Sequence, residues 1–129
     1  MARRKHSFFA LDQLAEEFSE PDTIPCHIVA TGGAEGDETA FTVPESREFK
    51  LRKVICCFPI GTYGELEISL KKDGQTVFPL ANAIKGDGIA LPFKTRLQYE
   101  SGKAIVIHYK NLNSSETREC FVFLCGELK

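Results

Sequence analysis

The chain has 129 residues, 43% of them apolar and 26% charged, and a formal net charge of −2 at pH 7. That length holds one domain with a sizeable core. The composition excludes a disordered chain, the short apolar runs exclude a membrane-spanning helix, and the balanced charge gives no global field for nucleic acid.

The opening stretch, Ala2 to Pro21, joins a basic head to one amphipathic segment. Arg3, Arg4 and Lys5 imitate the start of a secretion signal. Asp12, Glu16 and Glu17 interrupt what would have to be its apolar part, so cytoplasmic synthesis is expected. Three charges contribute little at physiological salt, so this head reads as a solvated terminus rather than a nucleic-acid contact. Phe8, Leu11, Leu14, Ala15 and Phe18 fall at helical spacing, with Asp12, Gln13, Glu16 and Glu17 on the other side. Ser7 caps this predicted helix and Pro21 ends it.

From Thr23 the pattern turns to strands. Residues 24–30 and 39–44 flank "TGGAEGDE", a Gly- and acid-rich stretch expected to be a loose loop. In "EFKLRKVICCF", Phe49, Leu51, Ile55 and Cys57 share a parity that only Lys53 breaks, which predicts that these four point inward. Leu66, Ile68 and Leu70 alternate with Glu65, Glu67 and Ser69, and Asp73-Gly74 predicts a hairpin turn. Phe93, Thr95, Leu97 and Tyr99 alternate with polar residues. After a turn at 100–102, Ile105, Ile107 and Tyr109 oppose Ala104, Val106 and His108. "RECFVFLCGEL" is apolar on both faces, as a strand in mid-sheet or beneath the helix would be. Eight or nine short strands, with a long connection at 31–38, predict a mainly β fold. The expectation is an antiparallel β-sandwich of jelly-roll or Greek-key winding with one N-terminal amphipathic helix.

The chemistry-bearing residues form no recognised constellation. Five cysteines without a secretion signal read as reduced, mostly buried thiols. No pair among Cys26, His27, Cys56, Cys57, His108, Cys120 and Cys125 has zinc-turn spacing; a site would have to gather strands, for instance His27 with His108 and one cysteine. Cys56 or Cys57 acting with His108 as nucleophile and base is disfavoured, because an apolar strand raises a thiol pKa and hides it. Glu35, Asp37 and Glu38 lack an ordered calcium pattern. No catalytic residue, metal or cofactor is expected, and the chain reads as a non-enzyme. With no Trp, sugar stacking would fall to Tyr63, Tyr99 and Tyr109, two of which share parity with core residues.

Gly64 to Leu128 holds an outward-charged strand, a DG hairpin, "GIALPF", "SGKAIVIHYKN" and a closing strand with Gly126. In these elements it resembles small single-domain β-sandwich proteins of phage and virus particles: minor capsid, decoration and tail-associated proteins. The resemblance implies a virion structural role and terminal arms that hold neighbours. The expected organisation is an arm over residues 1–24 and a sandwich over 25–129. Phe8, Leu11, Leu14 and Phe18 are the partner-binding candidates, directed at copies of the same chain or at other shell proteins in a homo-oligomer. Packing of the helix on its own sandwich is the competing reading; a membrane-surface role would want basic flanks, and these are acidic. The alternative function is a carbohydrate- or protein-binding module using loops 31–38, 83–88 and 111–117.

Overall fold

The computed structural model describes residues 22–129. The predicted helix, with Phe8, Leu11, Leu14 and Phe18, and the basic head Arg3, Arg4 and Lys5 lie outside the described residues.

Eight strands form two antiparallel four-stranded sheets: β1 (Asp22–Ala30), β2 (Glu35–Thr42), β3 (Phe49–Phe58), β4 (Leu66–Lys72), β5 (Gln75–Phe78), β6 (Ile89–Tyr99), β7 (Ala104–Asn111) and β8 (Arg118–Leu128). Sheet A has the order β1-β8-β3-β6 and sheet B the order β2-β7-β4-β5. The chain changes sheet at every connection except the β4–β5 hairpin, which is jelly-roll winding. That hairpin turns on Asp73 and Gly74, both at positive φ (53° and 78°), the backbone that matches the twist of the flanking strands. The edge strands β1 and β6 of sheet A carry Pro25 and Pro92, and proline is tolerated in a sheet at its edges.

The core lies between the sheets. Sheet A contributes Ile28, Phe49, Leu51, Val54, Cys56, Phe58, Tyr99, Val122 and Leu124, and sheet B contributes Leu66, Ile68, Leu70, Ile105 and Ile107, all essentially buried. Each such aliphatic or aromatic side chain contributes about 1.5–3 kcal/mol by leaving water. The expected alternation holds in β6 and β7 and, apart from Ser69, which is buried, in β4.

Two expectations are corrected. In β3 the pairing to both β6 and β8 shifts between Leu51 and Lys53, a β-bulge. Beyond it the parity flips, so Val54, Cys56 and Phe58 point inward while Ile55 and Cys57 point outward. The supposed loose loop at 31–38 is also half strand. Only residues 31–34 turn, and Glu35 to Glu38 pair with β7 in spite of their acidic composition.

At the β3–β8 seam Gly126 lies against the bulge. A Cβ there would run into the Lys50 carbonyl oxygen and sit 2.9 Å from Phe49 Cζ, so only glycine fits.

Candidate interaction surface

Alternation sends every second side chain of each sheet to an outer face, and the two outer faces differ. On sheet B one row across β2, β7 and β4 is Glu35, Lys110, Glu67, and the next is Asp37, His108, Ser69. His108 lies between two carboxylates. Nδ1 is 2.6 Å from Asp37 Oδ1, and Nε2 is 2.9 Å from Glu35 Oε2. Lys71 Nζ reaches Asp37 Oδ1 at 3.3 Å, and Lys85 pairs with Glu67 at 3.7 Å. The hydrogen bond from His108, with Lys71 beside it, holds the Asp37 carboxyl below its usual value. Apart from the exposed Lys110, the charges in these rows pair with one another or with neighbouring side chains.

On sheet A the corresponding rows are apolar. His27, Phe121, Cys57 and Ala90 form one, and Pro25, Phe123, Ile55 and Pro92 the next. Phe121 is 39% exposed, and Phe123, Ile55 and Cys57 are half-buried. His27 stacks on Phe121, with ring centroids 4.2 Å apart, and its Nε2 lies 2.7 Å from Glu119 Oε1. Toward the other end of the face the rows become basic, where Lys53 opposes Lys94. Lys50, Arg52 and Arg96 line an adjoining groove. A groove of about 320 Å³ runs between Ile55, Pro92, Phe93 and the two lysines. Arg52 pairs with Glu127 at 3.4 Å; among the described residues Lys94 and Arg96 form no ion pair.

The connections 31–34, 59–65, 79–88 and 112–117 gather at one end of the sandwich. Gly33 N donates to Asn113 O (2.7 Å), Leu112 N to Glu65 O (2.8 Å) and Gly64 N to Gly86 O (3.2 Å). The amide of the buried Asn111 donates to the carbonyls of Ala30, Thr31 and Glu116, tying β1 to the β7–β8 loop. The Asp87 carboxylate accepts from Gly61 N (2.8 Å) and Thr62 N (2.9 Å), and backbone hydrogen bonds, that of Tyr63 foremost and then those of Gly61 and Thr62, hold it below its usual value. That bracing presents Tyr63 at φ 55°, 70% exposed, with the Arg118 guanidinium 5.6 Å from the ring centre.

His27 and His108 emerge on the outer faces of opposite sheets, so they do not share a metal site with each other. Glu35 and Asp37 are engaged by His108, while Glu38 takes the opposite parity. Among the described residues no group of His, Cys, Asp and Glu has the arrangement of a metal site. Cys56 and Cys120 point into the core, thiol against thiol. The hydrogen bond to Cys56 and then burial push the Cys120 thiol up, away from nucleophilic reactivity. Of the tyrosines weighed for sugar stacking, Tyr99 is buried, with its hydroxyl pushed up to about 12, Tyr109 is half-buried, and only Tyr63 is presented. The apolar face of sheet A escaped sequence reasoning because strict alternation places Ile55 and Cys57 inside. The unbroken apolar run of β8 was the available signal.

No protein-family model matches the chain, and no curated protein sequence matches it. Solved structures similar to it include the capsid of cyanophage Pam1, at 13% identity over 97% of this chain and 92% of that one, with a TM-score of 0.49. The capsid of Helicobacter pylori bacteriophage KHP30 is similar at 16% identity over 82% and 94%, with a TM-score of 0.46. The C-terminal domain of EclA, a sugar-binding protein, is similar at 14% identity over 100% of both chains, with a TM-score of 0.40. Phage capsid chains are thus among the structures this chain is similar to.

Proposed function

We propose that the protein is a non-enzymatic structural component of an assembly, a minor or decoration subunit of a virion-like particle, made in the cytoplasm and held to copies of itself or to other shell proteins. Residues 1–24 act as its arm, with Phe8, Leu11, Leu14 and Phe18 as anchors. The observation that carries this reading is the apolar outer face of sheet A, set against an outer face of sheet B built of charged and polar side chains, most of them paired. Contiguous apolar rows bordered by charge are where soluble proteins meet partners. The test is light scattering across a concentration series on the full chain and on a Leu11→Asp/Leu14→Asp variant. The full chain is expected to give a defined oligomer and the variant a folded monomer. A full chain that stays monomeric throughout would overturn the reading.

A second reading, a carbohydrate- or protein-binding module, is favoured by Tyr63, an aromatic ring presented on a loop locked by Asp87. It predicts that sugars from a glycan panel quench tyrosine fluorescence and that Tyr63→Ala abolishes the quenching. No response across the panel would remove the sugar form of this reading.

A further inference from the structure

We propose that the outer face of sheet A binds single-stranded nucleic acid at its basic end. Lys50, Arg52, Lys94 and Arg96 of β3 and β6 meet the phosphates, and Phe121 and Phe123 of β8 stack on the bases. This site goes beyond the assembly reading above and does not depend on it.

The cations carry the first half of the argument. Lys94 and Arg96 are successive outward residues of β6, and the bulge in β3 leaves Arg52 exposed beside Lys50. Lys50, Arg52 and Arg96 line one groove, of about 340 Å³, and Lys94 lines the adjoining one. Lys53 is already engaged and is not counted in the site. Among the described residues Lys50, Lys94 and Arg96 form no ion pair, and Arg52 holds Glu127 at 3.4 Å with half of its own side chain exposed. The carboxylates of β8 on this face are engaged, Glu119 by His27 and Glu127 by Arg52 and Lys129. The end is therefore locally positive in a chain of formal charge −2, and it fits an anion held at short range.

The aromatic rows decide which anion. Phe121 is 39% exposed, Phe123 is half-buried two residues further along β8, and His27 stacks on Phe121. Successive outward residues of a strand lie about 7 Å apart, so the row of Phe123, Ile55 and Pro92 is one step from Lys94 and two from Arg96. Each nucleotide brings one negative charge and one flat base, so charge and π surface recur together along the strand. Open sheet faces that combine rings with cations bind unpaired bases for this reason. A duplex keeps its base faces inside the stack, and a chain of acidic residues brings charge without the flat rings.

The experiment is fluorescence anisotropy of the full chain with a labelled oligothymidylate of about twenty residues, followed across a salt series starting near 50 mM. The wild-type chain is expected to bind in the micromolar range and to weaken steeply with salt. Lys94→Gln/Arg96→Gln, two exposed positions outside the core, is expected to weaken binding at least tenfold and to lower the log–log salt slope by about two. Phe121→Leu keeps an apolar side chain but removes the ring; it is expected to weaken binding by about fivefold or more with the slope unchanged. Unlabelled strand is expected to displace the probe far better than a duplex or polyglutamate of matched charge. A wild-type chain that leaves the probe unbound at low salt would overturn the site, as it would if a protein segment covered this face. Wild-type binding by the 94/96 variant would put the anion contact elsewhere on the chain and overturn it equally. Displacement by polyglutamate as effective as by the unlabelled strand, with Phe121→Leu binding normally, would make the partner an acidic polypeptide and overturn the nucleic-acid assignment.

Discussion

Outward positions on sheet B place His108 between Asp37 and Glu35, each within hydrogen-bonding distance of an imidazole nitrogen. The equivalent central positions on sheet A hold Phe121 and Phe123 beside Cys57 and Ile55. Both faces follow from the same two-residue repeat of an extended chain. The difference is that sheet B presents charged side chains, most of them paired with one another, whereas sheet A presents apolar rows with a basic end. An outer face is thus informative by what it leaves unmatched.

The largest expected effect tests what holds sheet A in register. Gly126→Ala should cost about 3 kcal/mol in a denaturant titration, because the new Cβ meets the Lys50 backbone and the Phe49 ring. Hydrogen exchange should show β3 and β8 losing protection ahead of β7; equal loss in both sheets would mean that the bulge does not set the register.

A smaller effect is expected on sheet B. His108→Ala removes the donor between two carboxylates and should cost about 1 kcal/mol by urea unfolding, the partners being half-exposed. Phe121→Ser on the opposite face should change unfolding free energy by about 0.5 kcal/mol or less while reducing association. If the serine variant proves the less stable of the two, sheet A's outer face serves the fold rather than a partner.

The subtlest effect is in acid. Asp37 is held below its usual value in the folded chain, so its contribution is present above the unfolded value of roughly 4 and is lost as pH falls through the folded one. Asp37→Asn should therefore flatten the loss of stability below roughly pH 4. An unchanged acid limb would show that the His108 contact adds nothing to stability.

Much of the sandwich was legible in the sequence because Leu66 to Leu70 of β4 and Phe93 to Tyr99 of β6 alternate, with Leu66, Ile68, Leu70, Phe93, Leu97 and Tyr99 every second or fourth residue among polar neighbours. The Asp73-Gly74 turn has few conformations open to it, and β8 reads as a mid-sheet strand, which it is. Residues 35–38 were misread because Gly and acidic residues disfavour strands locally, yet pairing to β7 and the contacts of Glu35 and Asp37 with His108 outweigh propensity. The bulge in β3 was invisible because inserting one residue changes no composition, only parity. That one residue decided the candidate site: it moved Ile55 and Cys57 from the expected interior to the outer face. The gathering of four connections at one end was also out of reach, since it depends on the winding rather than on any single loop.

The two prolines at the margins of sheet A carry a consequence for growth. An open strand edge is a template on which further strands can polymerise without limit. Pro25 on β1 and Pro92 on β6 each withhold a backbone donor from those edges, so sheet A terminates at both sides. Fibre-like extension of that sheet is discouraged by covalent structure, whatever the concentration. With both edges blunted in this way, the broad outer face of sheet A is left as the surface of that sheet on which another molecule can pack.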